Sequence, residues 1–581
     1  MFSLVQALTL ALALLAQAAP AFSQTDATLR VSIDGVNSQQ EQNIRGLLSI
    51  QPLHDKAVTN PTRLRYLHHK ATVEITKALQ PFGFYRPRVV STLSLEDQDW
   101  RAHYQVTLGP PLPIANLDIQ LQGDAVQDDA FARLLADSGL RRGAPLVHSD
   151  YEALKQQLRS LAAERGYYQG AFSMHRVEVD LSRYQANVVL HFDSGRRFYV
   201  GELRFTPGPL ANEFLNRYVP FKRGDPVQSS ALIDLQTTLI DTDFFQRVEV
   251  RPLWDQAEDT DVPIDINLEP HLRTQYKLGL GYGTDTGARA KLGMTKRWVN
   301  SRGHQLKTQL LVSEIRRSLD AQYSIPGENP RLQHYALRLG LSEELSDSID
   351  ARNQSLGISR QSQSGRWERL LALDWEQETF TFGADTQTTE FLIPELSLTK
   401  LSTKNRLNVR DGYLYALQLR GASNSVLSDI DFVQAQIRAK WVHSFTPALR
   451  FLGRLDGGVT LADQFDKVPA TLRFFAGGDN SVRGYDYQSL GPKNAQGVII
   501  GGPLLLTVSA EIDYRIKPQW GVAAFIDSGN AFEDVDIRLH TGIGVGLRWF
   551  SVIGPIRLDL AFPRDDEKNS FRLHFSLGPD L

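Results

Sequence analysis

The sequence predicts three small N-terminal α+β repeats followed by a C-terminal 16-stranded antiparallel transmembrane β-barrel. Three observations carry this expectation. A short basic, Gly and Pro motif recurs in the N-terminal half. The texture changes near Gln275 to apolar and polar residues alternating with period two. Beyond the first two dozen residues, no apolar run is long enough for a membrane-spanning helix.

With 581 residues, the chain is too long for one core. Its 42% hydrophobic content and net charge of −3 give no global basic field, which weighs against a nucleic-acid partner. Cysteine is absent, which removes disulfides, Cys-ligated zinc, iron–sulfur clusters and thiol nucleophiles together.

Residues 1–23 read as a signal peptide. The stretch Leu8 to Leu15 is apolar, small residues follow, and Ala21-Phe22-Ser23 has the pattern of a cleavage site. The only positive charge ahead of the apolar stretch is the α-amino group. If the mature chain enters a membrane, it must do so as a barrel, because no later segment can span as a helix.

The repeats are expected over residues 28–109, 113–196 and 198–270. Arg141-Arg142-Gly143-Ala144-Pro145-Leu146 recurs as Lys222-Arg223-Gly224-Asp225-Pro226-Val227. Helical stretches at Tyr151 to Arg165 and Ala231 to Thr242 end in Gly166-Tyr167-Tyr168 and Asp243-Phe244-Phe245. The first unit has its helix near Leu64 to Leu79 and ends in Gly83-Phe84-Tyr85. Each unit opens with an alternating strand, such as Leu29 to Asp34, and closes on a strand pair, giving a small sheet covered on one face by helices. The recurring Gly, Pro and aromatic residues read mainly as structural. An edge strand of such a sheet could also receive an extended chain.

The barrel is expected over residues 274–581. Tyr276, Leu278, Leu280 and Tyr282 alternate with Lys277, Gly279, Gly281 and Gly283, and Leu506 to Tyr514 alternate with Thr507 to Arg515. Alternation fits a soluble sandwich equally well; the leader, the absence of helical interruptions, and tryptophans at expected strand ends (Trp298, Trp367, Trp520, Trp549) favour the membrane. About 305 residues at roughly 19 per strand and connection give an even number near sixteen. The Gly279-Gly281-Gly283 row lies within a strand and opens no helix, so it is no dinucleotide fingerprint. His68-His69 lacks a third ligand at metal spacing, and no nucleophile elbow or phosphate loop appears. The sequence therefore points to no enzyme, catalytic residue, metal or cofactor.

Gly477-Gly478-Asp479-Asn480-Ser481-Val482-Arg483-Gly484-Tyr485 contains a V-R-G-[FY] segment, and Phe525-Ile526-Asp527-Ser528-Gly529 has the pattern F-x-D-x-G. Together these resemble the superfamily of outer-membrane-protein assembly factors and two-partner secretion pores, and the repeats resemble POTRA domains. The resemblance implies that the Arg483 loop folds into a sixteen-stranded barrel's lumen. Glu511 falls on the lumen-facing row, and a carboxylate at Asp527 should avoid lipid, so Arg483 is expected to bridge the two. Gly484 is expected to permit close backbone approach, with Tyr485 packed alongside.

The segment Phe571 to Gly578 resembles a C-terminal β-signal. It is expected to pair with the Tyr276 to Tyr282 strand, making a seam of Tyr276, Gly279, Gly281, Phe571, Leu573 and Phe575. The glycines there would weaken the seam for opening, or else make room for the tucked loop. Three repeats and the ending Leu577-Gly578-Pro579-Asp580-Leu581 are most similar to the TamA type of this superfamily, that of the translocation and assembly module. That similarity implies a Gram-negative outer-membrane location with periplasmic repeats. It also implies a TamB-like periplasm-spanning partner, autotransporter and other barrel client proteins, and a possible role with outer-membrane lipid. An export pore or a dock for phospholipid transport are the competing expectations.

Overall fold

The computed structural model describes residues 27–97, 99–346, 349–382, 385–403, 408–551, 554–565 and 570–577. The expected leader and the terminal Gly578 to Leu581 lie outside the described residues.

The N-terminal half holds three three-stranded sheets. In the first, Leu29–Asp34 and Arg88–Glu96 flank Asp99–Thr107. The first strand runs parallel to the central one, which requires a long crossover, and the helices Ser38–Leu47 and Pro61–Leu79 supply it. Both helices start on asparagine caps: Asn37 forms a capping box with Gln40, and Asn60 precedes Pro61 at the first helical position. Alternate residues Leu29, Val31 and Ile33 are buried against Ile75, Ala78 and Leu79 of the long helix.

The second sheet repeats the plan, with Ala171–Asp180 and Ile114–Gln122 on either side of Gln185–Asp193. Asp128 caps the helix Asp129–Ala136 and also accepts bonds from Arg165 (2.7 Å) and Tyr167 (3.1 Å). Thus the first aromatic of the Gly-Tyr-Tyr ending ties the long helix His148–Glu164 to the start of the shorter one. The third sheet has the order Tyr199–Phe205, Asp261–Pro270, Phe245–Pro252.

The C-terminal half is one sheet of sixteen sequentially paired antiparallel strands, from Thr274–Gly283 to Arg572–Leu577. Its polarity is inverted relative to a soluble sandwich. Val508, Ile512 and Tyr514 are 47–53% exposed, whereas Thr507, Ser509, Glu511 and Asp513 between them are buried at 2–7%. Apolar side chains on the outside with charge on the inside suit a barrel in lipid. Trp298, Trp367, Trp520 and Trp549 all fall at the barrel end where Thr274 enters, and Trp520 and Trp549 stack with ring centroids 6.0 Å apart. Trp367, Trp520 and Trp549, exposed on the outside, form part of an aromatic girdle at one membrane interface, whereas Trp298 is buried.

The seam differs from expectation. Among the described residues, no ladder joins Thr274–Gly283 to Arg572–Leu577, which are the two ends of the sheet. The last strand is described over Arg572–Leu577, Phe571 lies just before it, and the backbone N–H of Phe575 donates to the Thr284 hydroxyl at 3.1 Å. A hydrogen-bond donor that a ladder would use is spent on a side chain.

Candidate functional site

Between the strands Leu449–Ala462 and Leu504–Lys517, the chain folds into the lumen rather than out to solvent. Val482 is fully buried, packed with Ala476, Tyr485 and Leu490, and anchors the segment. Gly484 follows with φ +101°, a conformation that side chains resist. The reversal aims Arg483 at the wall, where it is 3% exposed.

Arg483 reaches three carboxylates. Its Nε and Nη2 form a fork on Asp527 at 2.7 and 3.0 Å, and its backbone N–H adds a third bond to the same carboxylate at 3.1 Å. Its Nη1 donates to Glu511 at 2.7 Å and to Asp559 at 2.8 Å. The guanidinium carbon also lies 3.4 Å from the centre of the Phe525 ring, so Phe525 and Asp527, two apart on one strand face, hold its π-face and its fork together. Gly529, two residues further on, leaves room for the neighbouring strand, because a Cβ there would sit 2.7 Å from the Leu506 carbonyl oxygen and Thr507.

The network extends beyond the residues the motifs identify. Arg548 donates to Glu511 at 2.7 Å, pairs with Asp559, and lies 3.3 Å from Asp513. Arg450 pairs with Asp513, and Arg454 lies 3.5 Å from Asp527. Four guanidiniums (Arg450, Arg454, Arg483, Arg548) thus interleave with four carboxylates (Glu511, Asp513, Asp527, Asp559), which offsets the cost of burying so much charge. Arg548 and Asp559 stand on polar rows that alternation reveals, but neither lies in a recognisable motif. The Tyr485 hydroxyl donates to the Thr541 carbonyl at 3.4 Å and its ring packs against His540.

Space for the loop comes from the row Gly542, Gly544 and Gly546, where a Cβ would collide with the Arg483 carbonyl, the Phe525 ring and the Asp559 carboxylate respectively. This corrects the expectation that Gly279 and Gly281 make room for it. The groups nearest to those glycines are Lys291 and Arg289 of the adjacent strand.

The same loop spans the seam. Asp479 accepts from Thr284 at 2.9 Å on the first hairpin, while its backbone N–H donates to Asp285 at 2.6 Å. On the last strand, His574 Nε2 accepts from the Gly484 N–H at 2.9 Å, so Nδ1 carries the proton and donates to Asp479 at 2.6 Å. Asp285, Asp479 and His574 therefore meet, but both ring nitrogens are committed to protein partners, and the trio is a stitch rather than an ion cage. At the seam itself, Tyr276, Leu573 and Phe571 are 50–69% exposed on the outer face. In the repeats, His68 bonds the Tyr104 hydroxyl at 3.0 Å.

Comparison with known proteins supplies the family context. Residues 274–580 match the family model described as the Omp85 superfamily domain, and residues 30–108 match that of TamA POTRA domain 1. The chain is 24% identical over 381 residues to the outer membrane protein assembly factor BamA of Nitratidesulfovibrio vulgaris, covering 61% of this chain and 48% of that protein. It is 31% identical over 133 residues to the chloroplastic outer envelope protein 80 of Arabidopsis thaliana, covering 22% and 17% respectively. The chain thus spans about half the length of the BamA relative, and less of the chloroplast protein. The crystal structure of BamA from Haemophilus ducreyi lacking POTRA domains 1–3 superposes with a TM-score of 0.69 at 16% identity, over 80% of this chain and 99% of that one, a likeness of fold.

Proposed function

The chain belongs to the Omp85 superfamily, whose barrels lie in the outer membrane with periplasmic POTRA domains, and from that premise we propose that it is the outer-membrane component of a translocation and assembly module. In this reading it promotes insertion of autotransporters and other β-barrel proteins, together with a TamB-like partner anchored in the inner membrane. We assign residues 1–23 to the leader, 28–109, 113–196 and 198–270 to the three POTRA domains, and 274–581 to the barrel.

The observation that carries the reading is the seam. Its two edge strands have no ladder between their described residues and are held by side chains of a lumenal loop. Unpaired edges offer a template for an incoming strand. The match of residues 30–108 to the first TamA POTRA model favours the TamA type.

The proposal is tested in Gram-negative cells lacking this protein by following autotransporters to the surface. Loss of surface display, restored by the intact chain, is expected. Unchanged display of every autotransporter tried refutes the reading, and failure to capture an inner-membrane-anchored partner refutes its TamA-type form.

A further inference from the structure

The helix exits of the three repeats carry Gly83, Gly166 and Asp243 at the same place before the aromatic pair, and all three have positive φ (+87°, +83° and +60°). At the first two, the next repeat passes too close for a side chain: a Cβ would lie 2.5 Å from the Leu146 carbonyl oxygen at Gly83, and 2.8 Å from that of Val227 at Gly166. Leu146 and Val227 are the aliphatic residues that end the recurring basic-Gly-Pro motif. The motif and the aromatic ending are therefore two halves of one joint, made backbone to backbone.

Asp243 has no fourth repeat to receive. Aspartate tolerates the left-handed region better than most residues, and here its side chain has a partner. Arg297, in the barrel turn 297–304, forks onto it, with Nε at 2.9 Å and Nη2 at 3.3 Å, while Nη1 donates to the Leu272 carbonyl at 2.9 Å. The Arg297 side chain is 6% exposed, so its charge depends on this pairing. Around it, Gly303 (φ +73°) lies against the Phe214 ring, the Ala211 N–H donates to Ser301 at 2.9 Å, Arg217 bonds the Glu328 carbonyl at 3.2 Å, and Arg331 lies 3.0 Å from Asp234.

We propose that the barrel turns 297–304 and 327–332 form a seat for the third repeat, keyed by the Asp243–Arg297 pair. Arg297 takes the place that the following repeat's backbone takes at the other two joints. The pair is a positioning device: it fixes the helix end Thr238 to Asp243 over a polar cavity of about 660 Å³ whose other wall includes Lys307, His334 and Gln363 of the barrel. This goes beyond the assembly reading, and its structural test does not depend on that reading being correct.

The test uses the full-length protein in lipid nanodiscs with spin labels at Gln246 on the third repeat and Arg366 on a barrel turn. Distance distributions are compared for the otherwise unaltered protein, Asp243→Asn, Arg297→Gln and the double variant, at low and high salt. Asparagine keeps the left-handed backbone accessible while removing the charge and one of the two acceptors of the fork. Each single variant should shift and broaden the distribution, and the double should add nothing to the larger single effect. Raising salt should broaden the distribution of the native pair more than that of Asp243→Asn, in which, among the described residues, only the Arg331–Asp234 pair is left to screen. A native distribution in Asp243→Asn at both salts, or additive single effects, overturns the proposal. If Arg297→Gln loses the compact heat-modifiable band of a folded barrel, Asp243→Asn alone decides, because it leaves the barrel sequence untouched.

Discussion

Replacing Arg483 by alanine removes the four side-chain hydrogen bonds that it makes to three buried carboxylates, and leaves only the backbone N–H bond to Asp527. Breaking one side of a buried ion pair costs about 3–5 kcal/mol, because the other charge is left without compensation. Here Arg548 still serves Glu511 and Asp559, and Arg454 still lies 3.5 Å from Asp527, which places the cost at the lower end. About 3 kcal/mol corresponds to a ~100-fold rise in the population with the loop released. Because the barrel ladders are untouched, the folded band on unheated gels should persist. The assay is hydrogen exchange of the segment Gly477 to Tyr485 in the folded, membrane-embedded protein. Loss of protection confined to that segment and its wall contacts is expected. Protection equal to that of the native protein would show that the ion network does not hold the loop.

Other expected outcomes follow from the same geometry. Gly546→Ala places a methyl group against the Asp559 carboxylate and Arg548, so it should lower the barrel's thermal transition in unheated-gel assays, with a cost of about 1–3 kcal/mol for overpacking; an unchanged transition would mean the wall is looser than drawn. Asp479→Ala removes the acceptor shared by Thr284 and His574, so exchange at Arg572 to Leu577 should rise while the far wall is unaffected; equal protection would show that the seam is closed by other means. In the second repeat, burial pushes the Asp128 carboxyl up, but the Arg165 hydrogen bond, the Ala130 N–H and Tyr167 outweigh it and hold it below the usual range. Its folded value is thus lower than its unfolded one, so its contribution is present above the unfolded value, near pH 4, and is lost as pH falls through the folded value. Acid-induced loss of exchange protection at Asp129–Ala136 should flatten in Asp128→Asn, and an unaltered acid profile would contradict the assignment.

The repeat plan was legible because its signals are local patterns: the motif at Arg141 to Leu146 and Lys222 to Val227, the helix periodicity and the aromatic endings can each be read within a few consecutive residues. The sixteen strands and their inward faces were legible because alternation assigns every residue to one side. Alternation gives the face but not the height or the neighbour across the lumen. For that reason Arg548 and Asp559, which share Arg483's network across 65 and 76 residues of chain, could not be assigned to it. Asp479 and His574 were missed similarly, since their meeting depends on where the loop re-enters the barrel. The expectation of a closed seam rested on the general rule that a barrel has no edges. Among the described residues it failed where the Thr284 hydroxyl and the Asp479 carboxylate put side-chain bonds in the place of a ladder. At Asp243, the aromatic ending was visible but its partner was not, because Arg297 belongs to a different fold unit in the sequence.

The most direct test of the central claim is the folding of an autotransporter barrel into liposomes that contain this protein, against empty liposomes and liposomes carrying Arg483→Ala. The account predicts faster folding with the intact protein and loss of most of that acceleration in the variant. Folding no faster than in empty liposomes would contradict an assembly role for the barrel, and acceleration that survives in Arg483→Ala would contradict the part assigned to the lumenal loop.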